Sequence, residues 1–369
     1  MHKTSAWPLA ASYAALVVFA SLFPFDGWRA QGVDPWMFLV APLPPRYWTG
    51  FDVTSNLLGY APLGFLLALA MLRSGQTRRS VLWVVLAAAL AGSVLSLCME
   101  FLQIYLPRRV PSNLDLVLNA GGTLLGALVA ALLERLGAID RWSHFRERWF
   151  VPDARGALVL IALWPMALLF PAGVPFGLGQ VLERLEAAVE NALQDTPFIE
   201  WMPLREAALE PLSPGGEVLC VMLGLLVPCL LGYCVIRHVG RRAAFAFTVL
   251  GVGVAFTALS AALSWGPSHA WGWLEQPVRV GVWAAAGASV LLLMLPRRAS
   301  AAVLLVALVW HLALLNQAPT SVYFAQTLQE WEQGRFIRFY GVGQWLGWLW
   351  PYVALLYVLV RVSRREPQT

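Results

Sequence analysis

Residues 81–105 read VLWVVLAAALAGSVLSLCMEFLQIY, and this stretch decides the fold class. For about twenty residues from Val81 it carries no charge, which is the length a helix needs to cross a bilayer's hydrocarbon core. The apolar residues are continuous rather than alternating, so a membrane barrel strand does not fit. Comparable runs recur at 7–25, 53–72, 116–133, 157–175, 217–236, 244–264, 278–295, 301–316 and 343–360. The expected fold is therefore all-α, a polytopic integral membrane helical bundle of about ten transmembrane helices. The run 301–316 is the shortest of the set.

Composition agrees with this reading. Hydrophobic residues make up 59% of the 369 positions and charged residues 13%, against roughly 25% charged residues in a soluble domain. Eighteen tryptophans suit the two interfacial belts, where indole places an apolar body beside a polar N–H. The first run resembles a signal peptide, but it has only His2 and Lys3 before it and no small-x-small cleavage site, so it reads as an uncleaved anchor.

Orientation follows from the loop arginines. With the N-terminus in the cytoplasm, the inward loops hold Lys3, then Arg73, Arg78 and Arg79, then Arg135, Arg141, Arg146, Arg148 and Arg155. Arg237, Arg241, Arg242, Arg297, Arg298, Arg361, Arg364 and Arg365 follow on the same side. The outward segment 176–216 instead carries Glu183, Glu186, Glu190, Asp195, Glu200, Glu206 and Glu210 against Arg184 and Arg205. Both termini are thus expected inside. The net charge of +5 reports topology, and its scatter over many loops argues against nucleic acid as a partner.

The chain is expected to divide into residues 1–136 with four spans, a basic and aromatic linker 137–156, and residues 157–369 with about six. The stretch 134–156 reads as a helix on the cytoplasmic membrane surface. Two outer segments, 180–194 and 320–340, also look amphipathic. In the first, Val181, Leu182, Leu185, Val189 and Leu193 share a face; in the second, aromatic residues alternate with Glu330, Glu332, Arg335 and Arg338. Cys98, Cys220, Cys229 and Cys234 lie in apolar runs without metal-ligand spacing, so they read as small hydrophobic filler. His311 and His269 each stand alone and read as packed or interfacial. No metal or cofactor is expected.

The polar residues of the first half carry chemical information. The second span opens Asp52, Asn56, Gly59, and the fourth opens Asp115, Asn119, Gly122; both are D-x3-N-x2-G, with a hydroxyl (Thr49, Ser112) three residues upstream. Such spacing stacks side chains on one helical face. It also suggests two copies of a helical hairpin. On the third span Ser93, Ser96, Glu100 and Gln103 form one polar stripe. The loop LPRRVPSNLD (106–115) adds Arg108 and Arg109. The topology then gathers Asp52, Asn56, Glu100, Gln103, Arg109, Asp115 and Asn119 in the outer part of the membrane, a candidate ligand-binding set.

Simpler roles compete. Thr49 with Asp52, and Ser112 with Asp115, fit capping boxes. The asparagines could bridge helices, and Gly122-x-x-x-Gly126 fits close helix packing. Glu100 fits least well, because a carboxylate at the negative end of a helix and at membrane depth needs a proton or a cation. Arg109 is the natural counter-ion.

Taken in order, DVTSNLLGYAPLGFLL (52–67), EFLQ (100–103) and RVPSNLDLVLNAGGTLLG (109–126) resemble the VanZ-like family of bacterial membrane proteins over roughly residues 10–135. Asp52, Asn56, Pro62, Gly64, Glu100, Gln103, Arg109, Asp115, Asn119 and Gly122 carry the resemblance, and Pro62, Gly64, Gly122 and Gly126 are its structural positions. Family members often have an acid just before the Asp115 position, where this chain has Ser112 and Asn113. The resemblance implies a protein of the bacterial cytoplasmic membrane. The family's namesake is associated with low-level teicoplanin resistance, which implies a link to glycopeptide susceptibility without supplying a reaction. Residues 157–369 resemble nothing recognised.

Three function classes follow. The first, which the residues favour, is a non-enzymatic envelope factor. Its polar site binds a membrane lipid head group, a cell-wall or polysaccharide precursor, or a partner protein, with Arg109 holding a phosphate or carboxylate. The second is an enzyme on a lipid-linked substrate, with Glu100 or Asp52 as general acid or base. No nucleophile–base pair or phosphate-cradling loop supports it, and no catalytic residue is singled out. The third is a transporter or flippase, which wants broken helices and a midplane site; Pro165 and Pro228 are the candidate breaks. Oligomeric state is not legible.

Overall fold

The computed structural model describes residues 6–23, 25, 27–32, 34, 36–43, 48–74, 80–107, 109–201, 209–319 and 337–363, with the side chains of 51, 200–201 and 337–342 excepted. Lys3, Arg78, Arg79, Arg108, Arg205, Glu206, Arg364, Arg365 and most of the 320–340 segment lie outside the described residues.

Among the described residues the protein is all-helical. The helices are α1 (Ala6–Leu22), α2 (Gly50–Arg73), α3 (Val81–Gln103), α4 (Asn113–Arg135), α5 (Ala138–Trp149) and α6 (Arg155–Leu168). They continue with α7 (Leu182–Leu193), α8 (Pro214–Tyr233), α9 (Val239–Trp265), α10 (Gln276–Leu291), α11 (Arg297–Leu315) and α12 (Ile337–Ser363). Each of the ten expected spans is a helix. Eight are long and apolar enough to cross a membrane; α1 and α6 are shorter apolar helices. The run 301–316, the shortest in sequence, is a 19-residue helix.

One expected span changes length. Helix α6 stops at Leu168 and not near 175, because Pro171 and Pro175 cannot continue a helix and Phe176 adopts a positive φ of 63°. Pro165 and Pro228, the candidate breaks of the transporter alternative, both lie inside continuous helices.

The outward-facing surfaces support a lipid environment. On α3, Leu82, Leu86, Leu90 and Val94 form a stripe at helical spacing, each more than half exposed. Water does not tolerate a contiguous apolar surface of this kind on a monomer.

Helix starts are encoded locally. Thr49 caps α2 in a capping box with Asp52, Ser80 caps α3, Ser112 caps α4, and Ser213 caps α8 with Pro214 at its first position. Each hydroxyl accepts a backbone N–H that the helix itself cannot satisfy.

The chain divides into two compact units, Met1–Arg146 and Glu147–Thr369. In the first, α2 and α4 form the most extensive helix pair. Gly122 lies against the Leu57 carbonyl and Gly126 against the Ala61 carbonyl, so the two helices run parallel. Gly64 meets the Thr123 carbonyl in the same seam, and Gly92 of α3 packs on the Thr123 side chain. A Cβ at any of these glycines would collide with its neighbour. At the C-terminal ends of α2 and α4, Arg73 pairs with Asp140 at 2.7 Å and Glu134 at 3.3 Å.

In the second unit α8 is central and buried from Val221 almost without interruption to Tyr233, packed by α6, α9, α10 and α11. Cys220, Cys229 and Cys234 lie in this core; Cys98 is exposed. His311 is buried with Nδ1 3.2 Å from the Cys220 carbonyl. Arg242, read from sequence as a loop charge, is 4% exposed. Its guanidinium donates to the carbonyls of Ile236, Leu293 and Leu295, which closes the chain ends beyond α8 and α10. The expected surface helices α5 and α7 form, and neither buries a residue.

Candidate functional site

The site is built where the end of α3 meets the start of α4. Ser96, Glu100 and Gln103 stand on one face of α3, and each reaches a different neighbour. The Asn119 side-chain amide of α4 donates to Ser96 Oγ at 2.9 Å. Glu100 Oε2 accepts the Ser112 N–H at 2.8 Å. Gln103 Nε2 donates to the Ser21 carbonyl of α1 at 3.0 Å. Ser93, the fourth residue of the stripe, only bonds back to Ala89.

This geometry explains how Glu100 is tolerated. It sits at the negative end of α3, yet it accepts an N–H at the N-cap of α4, where the dipole is positive. Arg109 answers the opposite need. Its guanidinium donates to the carbonyls of Ala20, at 3.1 Å, and Phe23, at 2.7 Å. These are groups that the end of α1 leaves unsatisfied, and a cation is favoured at that pole. Gln103 serves the same turn of α1. So Glu100 and Arg109 each complement a helix terminus, and the segment 109–112 carries one of those bonds at either end.

The two aspartates differ. Asp52 Oδ2 accepts both the N–H and the hydroxyl of Thr49, closing a capping box at a part-exposed helix start. Asp115 donates its N–H to Ser112 Oγ. The neighbouring Asn113 amide ties the start of α4 to the Ala41 carbonyl at 2.6 Å.

Sequence reasoning missed Tyr60. Its ring is buried on α2 against Val17 and Leu63. The hydroxyl lies toward Ser96 and Ser21, within electrostatic reach of Glu100 and Asp115. It nevertheless meets hydrogen-bond geometry with no described atom, and neither does Asn119 Oδ1. Tyr60 is 6% and Asn119 4% exposed. Two buried polar atoms thus lack a well-formed hydrogen bond among the described residues: the Tyr60 phenol, a donor that lies beside the Ser96 and Ser21 hydroxyls, and the Asn119 amide oxygen, an acceptor. The signal for Tyr60 was its place four residues after Asn56, on the same face of α2.

Asn119, Glu100 and Asp115 thus gather near Ser96 and Tyr60, while Gln103 and Arg109 hold the adjacent end of α1. Asp52 stands at the start of α2, bonded within its own cap. Asn56 is part-buried one turn further in. Among the described residues no three His, Cys, Asp or Glu side chains gather as metal ligands would.

A small helical unit with parallel α2 and α4 sealed by glycine and a buried polar cluster at one end defines a class of membrane-embedded bundle. Residues 4–134 match the family described as VanZ/LLP1, and this part of the chain is a VanZ-like domain. No curated protein and no solved structure shows a significant match to the chain.

Proposed function

We propose that the VanZ-like unit is a non-enzymatic factor of the bacterial cell envelope, and that its polar cluster receives the head group of a lipid or of a lipid-linked cell-wall precursor. The observation that carries this reading is the unspent pair, Tyr60 Oη and Asn119 Oδ1. Scaffold polar groups at this depth are normally paired, because an unmade bond there costs about 1–3 kcal/mol. A head group offering both a donor and an acceptor satisfies the two atoms together, and Arg109 supplies positive charge for its phosphate.

The loop arginines support a cytoplasmic-membrane protein with both termini inside and this cluster in the outer leaflet. In this reading residues 1–136 form the ligand-binding unit, 137–156 a linker on the cytoplasmic surface, and 157–369 a second membrane region. Binding of a cell-wall precursor is also what would connect the protein to glycopeptide susceptibility.

The test is thermal. The purified full chain is melted in detergent alone, then with a polyprenyl phosphate, phosphatidylglycerol or phosphatidylethanolamine. At least one raises Tm by several degrees, as a ligand of the native state must. Asn119→Ala abolishes that rise while its own Tm stays close to wild type. No shift with any of the three, or an undiminished shift in Asn119→Ala, overturns the reading.

A further inference from the structure

The second unit holds a cavity of its own. It opens at the C-terminal ends of α6 and α9 and is lined by Phe170, Pro171, Phe176, Thr257, Trp265 and Trp273, among others. The space inside it that a water-sized group can reach is about 50 Å³, room for a small polar group at the end of a chain rather than for a whole ligand. Its walls are aromatic, proline and aliphatic side chains, and no charged residue lines it.

Its polar groups are mostly spent. Ser260 donates its hydroxyl to the Leu169 carbonyl, and the Trp273 indole donates to the Ala270 carbonyl. Thr257 is the exception. The other described mid-helix threonines, Thr54, Thr123 and Thr248, each bond back to the carbonyl four residues before. The Thr257 hydroxyl is shielded from water and bonds to nothing among the described residues. The cavity wall therefore presents one hydroxyl donor that has no acceptor among the described residues.

Position narrows the occupant. Helix α9 has 27 residues, so it is about 40 Å long and exceeds a hydrocarbon core of about 30 Å. Its end at Trp265 therefore reaches the interface, and Thr257 lies two turns below, close to the depth of glycerolipid ester groups.

We propose that this cavity is a lipid site that takes the ester-linked end of an acyl chain, with the Thr257 hydroxyl donating to the ester carbonyl. The chain packs on the aromatic wall, and the carbonyl supplies the acceptor that the Thr257 hydroxyl lacks. The charged head group remains outside, which matches a lining without charge.

The probe is a pair of phosphatidylcholines with the same head group and chain length, one diester and one diether. The diether has no carbonyl. The full-length protein is taken from bilayers containing equal amounts of both, and the last lipid to dissociate is identified by native mass spectrometry. Wild type retains the diester about three- to tenfold over the diether, the ratio one net hydrogen bond supports. Thr257→Val keeps the side-chain volume and reduces the ratio to about one. Ala261→Trp fills the cavity and removes one tightly held lipid, with Tm confirming that the protein is folded. Equal retention of the two lipids by wild type, a preference that survives in Thr257→Val, or retention of neither lipid overturns the proposal. The test is independent of the head-group site in the VanZ-like unit.

Discussion

The side-chain amide of Asn119 donates to the Ser96 hydroxyl at 2.9 Å, while the amide oxygen on the same buried side chain accepts no hydrogen bond from any described residue. One half of the group joins α4 to α3. The other half is unspent. These halves separate scaffold from site. If the Ser96 bond were all that mattered, Asn119→Ala should lower stability by about 0.6–2 kcal/mol, and function should fall only as far as abundance does. We expect near-normal abundance and Tm for Asn119→Ala, with loss of the envelope phenotype in a deletion strain complemented by the variant. Asn56→Ala should behave alike. Parallel loss of Tm and phenotype in both variants would return the cluster to a purely structural role.

The glycines give predictions of opposite sign. Gly59 and Gly122 hold the same place in the two D-x3-N-x2-G motifs, yet a Cβ at Gly59 would meet nothing within 4 Å while one at Gly122 would strike the Leu57 carbonyl. Gly59→Ala should therefore stabilise α2 by about 0.5–1 kcal/mol, the usual gain from replacing a helical glycine. Gly122→Ala, Gly126→Ala and Gly64→Ala should each destabilise by about 1–3 kcal/mol or more, because the obstacle is backbone that cannot rotate away. Melting of the detergent-solubilised variants gives the sign directly. A destabilised Gly59→Ala would mean that this face of α2 is packed in the membrane-embedded protein.

These contrasts show what the sequence made legible. Spanning helices were readable because twenty apolar residues can satisfy their backbone in lipid only as a helix. The end of α6 reads too late in the sequence, because apolar residues continue past Leu168 and outweigh the stop signals of Pro171 and Pro175. The stripe Ser96, Glu100, Gln103 was legible from spacing. Its partners were not, because Glu100 bonds a backbone N–H and Gln103 and Arg109 bond backbone carbonyls, and main-chain groups leave no mark in a sequence. Tyr60 was overlooked because a tyrosine in an apolar run is ordinarily core. Arg242 was counted among the cytoplasmic loop charges, although its guanidinium is buried on three carbonyls.

Glu100 and Arg109 should be energetically coupled, and the segment between them supplies a reason. Arg109 anchors that segment to the end of α1, and Ser112 presents its N–H to Glu100 three residues later. Losing either anchor loosens the backbone on which the other depends. Glu100→Gln and Arg109→Gln should each destabilise, since each replaces a charge-assisted bond worth about 1.5–3 kcal/mol with a weaker one. The double variant should cost less than the sum of the singles, by about 0.5 kcal/mol or more. A denaturation cycle over the four proteins measures this. Strict additivity would show that the two termini are satisfied independently.

Topology is testable by labelling, and the fold indicates how to prepare the background. Cys98 is exposed, whereas Cys220, Cys229 and Cys234 are buried in and beside the central helix α8. Cys98→Ala alone should silence the chain toward a bulky membrane-impermeant maleimide, without disturbing the α8 core. Into that background we would place single cysteines at Asp195, just past α7, and at Phe145, on the exposed face of α5. A third position, Gln76 in the 74–80 connection, lies outside the described residues. The arginine distribution puts Asp195 outside and both other positions inside. Asp195→Cys should therefore label in intact cells, and Phe145→Cys and Gln76→Cys only after permeabilisation. The two inside positions test different things. Gln76 follows α2, so outside labelling there would invert the VanZ-like unit and place the Tyr60–Asn119 cluster in the inner leaflet, ending the outer-leaflet reading. Phe145 follows α4, so its labelling from outside with Gln76 still protected would mean that one of α3 and α4 does not cross. Labelling of Asp195 only after permeabilisation, with the other two unchanged, would indicate that the short helix α6, 14 residues long, does not span.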